Sequence, residues 1–548
     1  MLKLNKSLAK KGITACAALL TAALIVTGCG GSGGGSKGAQ GEVSLENRYT
    51  LDANTPAWKL DKKEEPTQLT WYVNADWWNS DFGNDVVTKK IKEDLNIDIK
   101  FVTGDDTKLN TFFAGSDMPD LITVFDSNSA VVQKASSWAL PLNELAEKYD
   151  PYFNKAAAQD TLNWFKQADG NTYGYPNYSN TQADYDSGNI PAKTAFVIRK
   201  DVYEALGKPN IGTPEEFKNV MQQIKAQFPD LIPFGFNSIG EGTGSLGDVF
   251  QDFLGVPLET ENGEFYNRNL DEDYLTWLKT LNQVHQAGNI SDDSFADDGP
   301  AFEEKVKSGK YATMLLDGTP QQGGNLQIFA NAHPDQAYLA IDGPQSTVGN
   351  APKLNQSGIT GWMISFITKQ CKDPAKAIQI FTYLLDEEGQ MLMNYGIEGE
   401  TYTKNADGTV QFTPEVKELQ QKDADKFKKE YRMGEFMFFG HDRHKALSAD
   451  AFPESIKQMQ EWGKGKLVPH FILENINPDA GSPDARALTV INTTWNTTMV
   501  SLIRAKNDGE FESTLNNYKK FLEDNGWDQI VKIRTEKMKA NKEKLGIQ

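Results

Sequence analysis

An acidic residue and two indole rings follow the first predicted strand of this 548-residue chain. The apolar run at 69–73 predicts the strand, and Asp76, Trp77 and Trp78 come shortly after it. An indole face packs against apolar C–H groups, while a carboxylate accepts protons from hydroxyl groups. This combination suits a sugar, which has apolar faces and a hydroxyl rim. Because adjacent residues cannot both face one core, we predict ligand contacts at these three positions.

Alternating helices and strands must hold this cluster. Apolar residues recur at four-residue spacing over 87–95 and predict a helix, whereas 97–101 alternates at period two and predicts a strand. A continuous apolar run at 121–125 predicts a strand buried on both faces. This order predicts an α/β fold with a largely parallel sheet. Ligands of such sheets bind beyond the carboxyl ends of the strands, where loops present free polar groups.

Other candidate residues also lie beside strand ends or on late helices. Asp126 follows the strand at 121–125, and Asp317 closes a predicted strand at 311–316. Asp317 either contacts ligand or caps the turn at Gly318, and both interpretations stay open. Trp362 and Trp495 suit a ligand platform and a core equally well. Trp277 and Trp527 lie on apolar helical stripes, which favours the core for both.

Length and charge limit the classes of protein. A single hydrophobic core stops growing near ~250–300 residues, so 548 residues predict two large lobes. The formal net charge is −19, and no basic stripe with interleaved aromatic residues offsets it. Such a charge repels phosphate backbones, which excludes a typical nucleic-acid-binding protein.

The N-terminal residues predict export and attachment to a membrane. Four lysines within residues 3–11 precede an apolar stretch at 13–27, and Val26-Thr27-Gly28-Cys29 follows. This order resembles the bacterial lipobox, which implies cleavage before Cys29 and its acylation with diacylglycerol and palmitate. A short transmembrane helix is disfavoured because spanning needs about 20 apolar residues. Residues 1–28 are therefore the expected signal peptide, and 29–65 the lipidated cysteine with its flexible tether.

Cysteine usage excludes a disulfide in the mature chain. The sequence has three cysteines, of which Cys16 lies in the removed segment and Cys29 is the predicted anchor. Cys371 therefore has no second cysteine with which it could form a disulfide. We expect the protein at the extracytoplasmic face of a bacterial cell membrane.

Catalytic and metal-binding motifs are weak. His441 and His444 form the only close histidine pair, but they lack the glutamate of a zinc-protease helix. A pair on the surface is the simpler interpretation. The sequence has no nucleophile elbow, phosphate loop or dinucleotide fingerprint in the required strand-to-helix context. We therefore predict no enzyme activity, no cofactor and no metal.

Ordered motifs carry a resemblance to one protein family over residues 69–506. They are Asp117 to Ile122, Gly170 to Pro176, Phe196 to Asp201, Lys307 to Gly318, and Gly358 to Ser365. Their order and spacing resemble extracellular solute-binding proteins of the family that includes maltodextrin-binding proteins, more closely its larger lipoprotein branch. One departure stands at Thr319-Pro320-Gln321, where relatives often carry an aromatic residue, and this departure leaves the ligand type open in this chain.

The resemblance implies a two-lobe, venus-flytrap fold of the type II-like periplasmic-binding-protein class with a helix-rich C-terminal part. The expected N-terminal lobe comprises 66–177 and 340–395, and the C-terminal lobe 178–339 and 396–548. Asp76 and Asp126 match positions where relatives contact sugar, and Trp495 matches their stacking tryptophan. These matches imply a monomeric lipoprotein that captures an oligosaccharide and delivers it to the transmembrane subunits of an ABC permease.

Two other functions stay open at this point. A peptide or another small solute is the alternative ligand, and peptide capture would require partners for both charged termini. A secreted glycoside hydrolase is the alternative of another class, since carboxylates and indoles in a cleft also serve catalysis.

Overall fold

The computed structural model describes residues 43–115, 117–237, 239, 246–356, 358–448 and 452–547. The predicted signal peptide and residues 29–42, which include Cys29, lie outside these residues. Residues 43–65, which were predicted to belong to the flexible tether, instead pack on the first core through Val43, Leu45 and Trp58. Within them, no helix combines the length and the apolar character that crossing a membrane requires.

Strands form two mixed sheets and one hairpin. In chain order they are β1 (Thr67–Val73), β2 (Ile97–Thr103), β3 (Leu121–Val124), β4 (Gly174–Pro176), β5 (Thr194–Arg199), β6 (Ile232–Phe236), β7 (Tyr311–Asp317), β8 (Tyr338–Ala340), β9 (Ile364–Ile367), β10 (Tyr402–Lys404) and β11 (Val410–Phe412). The first sheet has the order β2-β1-β3-β9-β4, the second has the order β6-β7-β5-β8, and β10 pairs with β11. The strands predicted at 69–73, 97–101, 121–125 and 311–316 are confirmed as β1, β2, β3 and β7.

Each mixed sheet contains one strand that runs against its neighbours. In the first sheet, β1 is parallel to β2 and β3, but β9 is antiparallel to β3 and β4. In the second, β6 is parallel to β7, and β5 is antiparallel to β7 and β8. The prediction of a largely parallel sheet therefore holds except for β9 and β5.

Helices cover both sheets and form most of the C-terminal part. They are α1 (Ala57–Leu60), α2 (Val86–Leu95), α3 (Asp106–Ala114), α4 (Ala130–Gln133), α5 (Ala135–Trp138), α6 (Leu142–Tyr149), α7 (Phe153–Ala156), α8 (Gln159–Trp164), α9 (Gln182–Asp186), α10 (Lys200–Ala205), α11 (Pro214–Gln227), α12 (Leu246–Phe253), α13 (Glu272–Gln286), α14 (Gly299–Lys307), α15 (Thr319–Ala332), α16 (Pro374–Leu385), α17 (Glu387–Tyr395), α18 (Pro414–Lys422), α19 (Ala424–Tyr431), α20 (Asp442–Lys445), α21 (Glu454–Gly463), α22 (Pro483–Ile503), α23 (Asp508–Asp524) and α24 (Trp527–Leu545). Short 3₁₀ turns lie at Arg268–Leu270, Asp292–Phe295, Pro334–Gln336 and Phe471–Leu473.

Local signals explain where several helices begin. Thr213 accepts the N–H of Glu216, whose side chain reaches back to the Thr213 backbone, and Pro214 occupies the first turn of α11. Asp373 accepts the N–H of Lys376 at the start of α16. Both helices therefore begin at capping residues that are followed by proline in the sequence.

Two large hydrophobic cores define two lobes. The first lobe packs around Trp71 on the first sheet, and the second lobe packs around Trp277 on α13. Residues from Tyr402 to Phe439 belong to the first core, whereas the sequence analysis assigned 396 onwards to the second lobe. The reason is aromatic packing: the ring of Phe438 lies 4.1 Å from that of Trp71. The boundary expected at 395 and 396 therefore lies too early in the chain.

The return to the first lobe also begins later than expected. β8 ends at residue 340 and pairs with β5 of the second sheet, and Leu354 is buried in the second core. The chain crosses only after Leu354, where Glu474 accepts the N–H groups of Ile359 and Thr360 at 2.9 and 2.7 Å. A small cluster of Trp164, Ile359 and Phe471 packs at this crossing.

A buried ion network ties the first described segment to the first lobe. Asp61 is fully buried and pairs with Lys376 of α16 at 2.9 Å and with Arg48 at 2.6 Å. Arg48 also pairs with Asp373 at 3.1 Å. Burial opposes ionisation of Asp61, but hydrogen bonds and charges from Arg48 and Lys376 outweigh it and lower its pKa. Asp61 therefore stabilises the fold in its ionised form.

We expect Asp61→Asn to lower the free energy of unfolding by roughly 3–5 kcal/mol, because it leaves a buried Lys376 without its counter-charge. The lowered pKa means that the wild-type contribution is present above the unfolded Asp pKa of about 4 and is lost as the pH falls below it. Urea unfolding at pH 7 and pH 3 measures both effects, and the variant should lose less stability on acidification.

Asp98→Asn serves as the matched control, since Asp98 pairs with Lys92 on the surface with about two-fifths of each side chain exposed. Its expected cost is about 0–1 kcal/mol. Equal losses in the free energy of unfolding for Asp61→Asn and Asp98→Asn would show that the buried network stabilises the fold no more than a surface ion pair does.

Candidate ligand-binding site

Four chain segments meet at one edge of the first sheet. Val73 pairs with Thr123 in parallel strands, so the residues after β1 and β3 lie side by side. Ile364 pairs with both Val124 and Pro176 in antiparallel strands. The residues before β9 and after β4 therefore lie at the same edge, where the sequence analysis expected ligand.

An aromatic row occupies this edge, and we define it as Trp77, Phe125, Trp362 and Tyr178. Ring centroids are 5.6 Å apart for Trp77 and Phe125 and 5.7 Å apart for Phe125 and Trp362. Trp362 and Tyr178 stack nearly parallel at 6.3 Å. Trp77 is 64% exposed, and Phe125 and Trp362 are partly exposed. Three rings of the row thus present apolar surface to solvent.

The crossing segment orients Trp362 within this row. Asn177 accepts the N–H groups of Trp362 and Met363 at 3.3 and 3.0 Å. Gly361 has φ +60, and a Cβ at this position would lie 1.9 Å from the Asn177 carbonyl oxygen. Only glycine allows this close approach, which brings Trp362 beside Tyr178.

Trp78 is buried beside the row, with its ring centroid 5.9 Å from that of Trp77. It is 5% exposed and packs on Phe438 of the first core at 4.8 Å. Both indoles were predicted as ligand contacts, but only Trp77 is exposed, whereas Trp78 is buried in the core.

Both predicted carboxylates of the first lobe flank the row. Asp76 directly precedes Trp77, Asp126 directly follows Phe125, and both residues are exposed. Asp126 accepts the N–H of Asn128 at 2.8 Å, which holds its loop. Both carboxylates are open to hydroxyl groups beside an aromatic face.

Asp317 lies at the corresponding edge of the second sheet. The backbone of Asp317 forms two hydrogen bonds with the Asn237 side chain, at 2.9 and 3.2 Å. Its carboxylate is buried, and Oδ1 has no hydrogen-bond partner. Burial raises the pKa of Asp317, and the charge of Lys193 offsets part of that effect. The orphaned oxygen is an unused acceptor at this edge.

An open cavity of about 580 Å³ lies in the second lobe, and we call it the second-lobe cavity. It is lined mainly by amide and aromatic side chains: Gly247, Asp248, Gln251, Phe265, Tyr266, Asn267, Arg268, Asn269, Leu473, Ile476, Asn477, Thr489, Ile491, Asn492, Trp495, Asn496, Met499, Tyr518, Trp527 and Arg534. This volume lies within the range of small-molecule sites.

Trp495 belongs both to the second core and to the cavity wall. It is 6% exposed, and its ring lies 4.9 Å from Tyr518 and 6.4 Å from Tyr274. Trp495 therefore packs in the core and at the same time presents part of its ring to the cavity, so the core and ligand-platform interpretations are compatible. Trp277 is fully buried, as predicted, whereas Trp527 lines the cavity as well as lying on a helical stripe.

One contact joins the cavity rim to the aromatic row of the first lobe. Ser127, two residues after Phe125, donates a hydrogen bond to Asn475 at 3.3 Å. Leu473 and Ile476, on either side of Asn475, line the cavity. The loop that follows the row and the loop that borders the cavity thus touch.

A buried charge cluster supports the cavity floor. Arg268 donates to Asp252 at 2.6 Å, and His470 lies 3.8 Å from the same carboxylate. Burial, with the charge of Arg268, lowers the pKa of His470 to about 3. His470 is therefore neutral at physiological pH, and Asp252 compensates the charge of Arg268.

The histidine pair does not form the predicted surface pair. His441 is 3% exposed, and its ring lies 6.2 Å from that of His444. Burial, with the charge of Arg443, lowers the pKa of His441 to about 3 and that of His444 to about 4. In the part of the chain that the structure describes, no group of three or more His, Cys, Asp or Glu residues is suited to a metal ion.

Sequence reasoning missed Phe125 and Tyr178 as site residues, and also the polar residues of the cavity. Phe125 and Tyr178 do carry a signal in the sequence, because both are aromatic residues close to the end of a strand. Phe125 directly follows β3, and Tyr178 lies two residues after the end of β4. Gln251, Asn492 and Arg534 carry none, because they come from three helices that only the fold brings together.

Comparisons with known proteins agree with this geometry. A family model described as bacterial extracellular solute-binding protein matches residues 84–391, more than half of the chain. No curated protein sequence matches.

Solved structures of three binding proteins share the fold. The alginate-binding protein AlgQ2, solved without calcium ion, has a TM-score of 0.64 and 18% identity over 87% of this chain and 99% of that one. The Streptococcus pneumoniae ABC-transporter substrate-binding protein FusA, in complex with kestose, has a TM-score of 0.64 and 17% identity over 86% and 99%. An extracellular solute-binding protein from Bifidobacterium longum subsp. infantis has a TM-score of 0.65 and 15% identity over 88% and 99%.

At these identities the solved structures establish the two-lobe fold, and the family model establishes the family. The chain is a member of the bacterial extracellular solute-binding protein family, whose proteins serve ABC transporters.

Proposed function

We propose that this protein captures an oligosaccharide between its two lobes and delivers it to an ABC permease. The observation that carries the proposal is the aromatic row, whose partly exposed rings stand beside Asp76 and Asp126. Rings stack on the apolar faces of sugars, and carboxylates accept their hydroxyl protons. The fold is shared with an alginate-binding protein and with a substrate-binding protein solved in complex with kestose.

The second lobe supplies the complementary polar groups. The second-lobe cavity contributes amide side chains from Gln251, Asn492 and Asn496, and Asp317 contributes an unused acceptor. Amides both donate and accept hydrogen bonds, as hydroxyl groups do. We propose Asp76, Trp77, Asp126, Asp317, Trp362 and Trp495 as ligand contacts, with Trp78 supporting them from the core.

Hinge bending about the crossing segments would bring these two surfaces together around a ligand. Glu474 holds the crossing at Ile359 and Thr360, and Trp362 follows two residues later. A closed, loaded form would then differ in surface from the open form, which allows a permease to distinguish them. We propose that the protein acts as a monomer and without catalysis.

The ligand class is tested by titrating purified full-length protein with neutral and acidic oligosaccharides and with peptides. The buffer must contain a detergent without a sugar headgroup. We expect saturable, stoichiometric binding of an oligosaccharide, seen as a change in tryptophan fluorescence, with no release of reducing ends. Binding of peptides alone would favour the peptide alternative, and turnover of the sugar would favour a hydrolase.

We expect Trp77→Ala to weaken oligosaccharide binding by roughly two- to tenfold, since one stacked ring contributes about 0.5–1.5 kcal/mol. Its thermal stability should hardly change, because the ring is 64% exposed. Trp78→Ala should instead lower the free energy of unfolding by about 3–5 kcal/mol through the cavity it leaves. Calorimetric titration and thermal unfolding separate the two effects.

Trp58→Ala is the matched control, because Trp58 is a partly buried indole of the first lobe that packs on Tyr383 at 5.0 Å, outside the aromatic row. An affinity loss for Trp58→Ala as large as that for Trp77→Ala would contradict the assignment of the row.

We also propose that acylated Cys29 anchors the protein to the cell membrane. Cys29→Ser removes the thiol that would carry the lipid, so the variant should leave the membrane fraction and appear in the soluble fraction. Cys371→Ser is the control, since Cys371 is buried in the fold. Membrane retention of Cys29→Ser, detected by immunoblot of both fractions, would contradict the anchor.

A further inference from the structure

Arg534 lies in the wall of the second-lobe cavity on α24. Its guanidinium lies 4.7 Å from the ring centroid of Phe265 and 5.8 Å from that of Trp527. Nη2 donates to the Asn477 side chain at 2.8 Å. Two aromatic rings and one amide thus hold the planar group in place.

Among the described residues, no carboxylate lies within 4 Å of the Arg534 guanidinium, and its Nε is buried without a hydrogen-bond partner. Two other arginines with largely buried side chains differ in this respect. Arg268 of the same cavity pairs with Asp252 at 2.6 Å, and Arg199 pairs with Asp201 at 2.6 Å. Arg534 is therefore a partly buried cation whose charge the protein leaves uncompensated.

Such an arrangement costs free energy in the unloaded protein. Removing a guanidinium from water without a counter-charge is unfavourable, and burial accordingly lowers the pKa of Arg534 to about 10. At neutral pH the group stays charged. A site that carries such a cost in a ligand cavity is a candidate for recognising an anion.

The donors that remain define the shape of that anion. An arginine has five N–H groups in a fixed fork, of which one is used by Asn477, and the fork matches the two oxygens of a carboxylate. The cavity also holds Asp248, which disfavours a ligand that is anionic along its whole length. Amides and indoles elsewhere in the wall suit the hydroxyl groups and faces of a sugar.

We propose that Arg534 is a specificity-determining residue that binds the carboxylate of an acidic sugar, such as a uronic acid residue within an oligosaccharide. This inference rests on the proposed function and narrows its ligand class. A carboxylate on the ligand would compensate the charge of Arg534. A neutral sugar would not, and the guanidinium would stay buried without a counter-charge.

The test uses purified full-length protein and a panel of oligouronides, each paired with its carboxyl-reduced counterpart of the same linkage and stereochemistry. We expect at least one oligouronide to bind roughly ten- to hundredfold more tightly than its neutral counterpart, because its carboxylate accepts a charged hydrogen bond from the Arg534 guanidinium. Arg534→Gln should abolish this preference, because it weakens binding of the oligouronide far more than binding of its neutral counterpart. Arg534→Lys should retain part of it, since the charge remains without the fork.

Arg504→Gln is the control, because Arg504 lies at the end of α22, is about half exposed and pairs with Asp292 outside the cavity. It should bind every probe as the wild type does. Thermal unfolding of each variant verifies folding. Equal weakening of acidic and neutral probes by Arg534→Gln would show a structural role and overturn the inference.

The outcomes also separate this inference from the proposed function. Tight binding of neutral oligosaccharides without any preference for oligouronides would overturn the role of Arg534 and leave sugar capture intact. Failure of every oligosaccharide in the panel, neutral and acidic, would overturn both.

Discussion

The pairing of β3 with β9 is the constraint on which the candidate site depends. Val124 and Ile364 are paired although 239 residues separate them in the sequence. Because β9 runs antiparallel to β3, the residues that precede it meet the residues that follow β3. This direction places Trp362 beside Phe125, and a parallel β9 would place Trp362 at the opposite edge of the sheet. The aromatic row is therefore a product of strand direction as much as of residue type.

The second sheet repeats this arrangement with other chemistry. β5 is antiparallel to β7, so Thr194 at the start of one strand pairs with Asp317 at the end of the other. Lys193 consequently approaches the carboxylate and offsets part of its burial. One lobe thus offers rings at its sheet edge and the other offers polar groups. That division suits a ligand with both apolar faces and hydroxyl groups.

Buried charges have two different roles in the molecule. Asp61, Arg48 and Lys376 satisfy one another, so their cost of burial is offset within the fold and the network joins the N-terminal segment to α16. Arg534 has aromatic rings and an amide around it, but no carboxylate among the described residues lies within 4 Å of its guanidinium. The first arrangement is complete without a ligand, whereas the second is not. Charge compensation therefore distinguishes structural cations from the one that we assign to recognition.

Local patterns in the amino-acid sequence were enough to locate several strands and helices and to indicate an α/β fold. Apolar periodicity located β1, β2, β3 and β7, and the cap at Thr213 located α11, because these signals act within a few residues of the chain. The order of the motifs also indicated the two-lobe fold. Most of the carboxylates and indoles that we predicted as ligand contacts were identified because they lie at the ends of predicted strands.

Only the tertiary structure decided which surface each of these residues faces. It turned Trp77 outward and Trp78 into the core, and it assigned residues 402–439 to the first lobe through contacts such as that of Phe438 with Trp71. It also showed that Arg534 has no acidic partner in the part of the chain that the structure describes. The reason is that burial and charge compensation are sums over neighbours distant in the chain, which no local pattern contains.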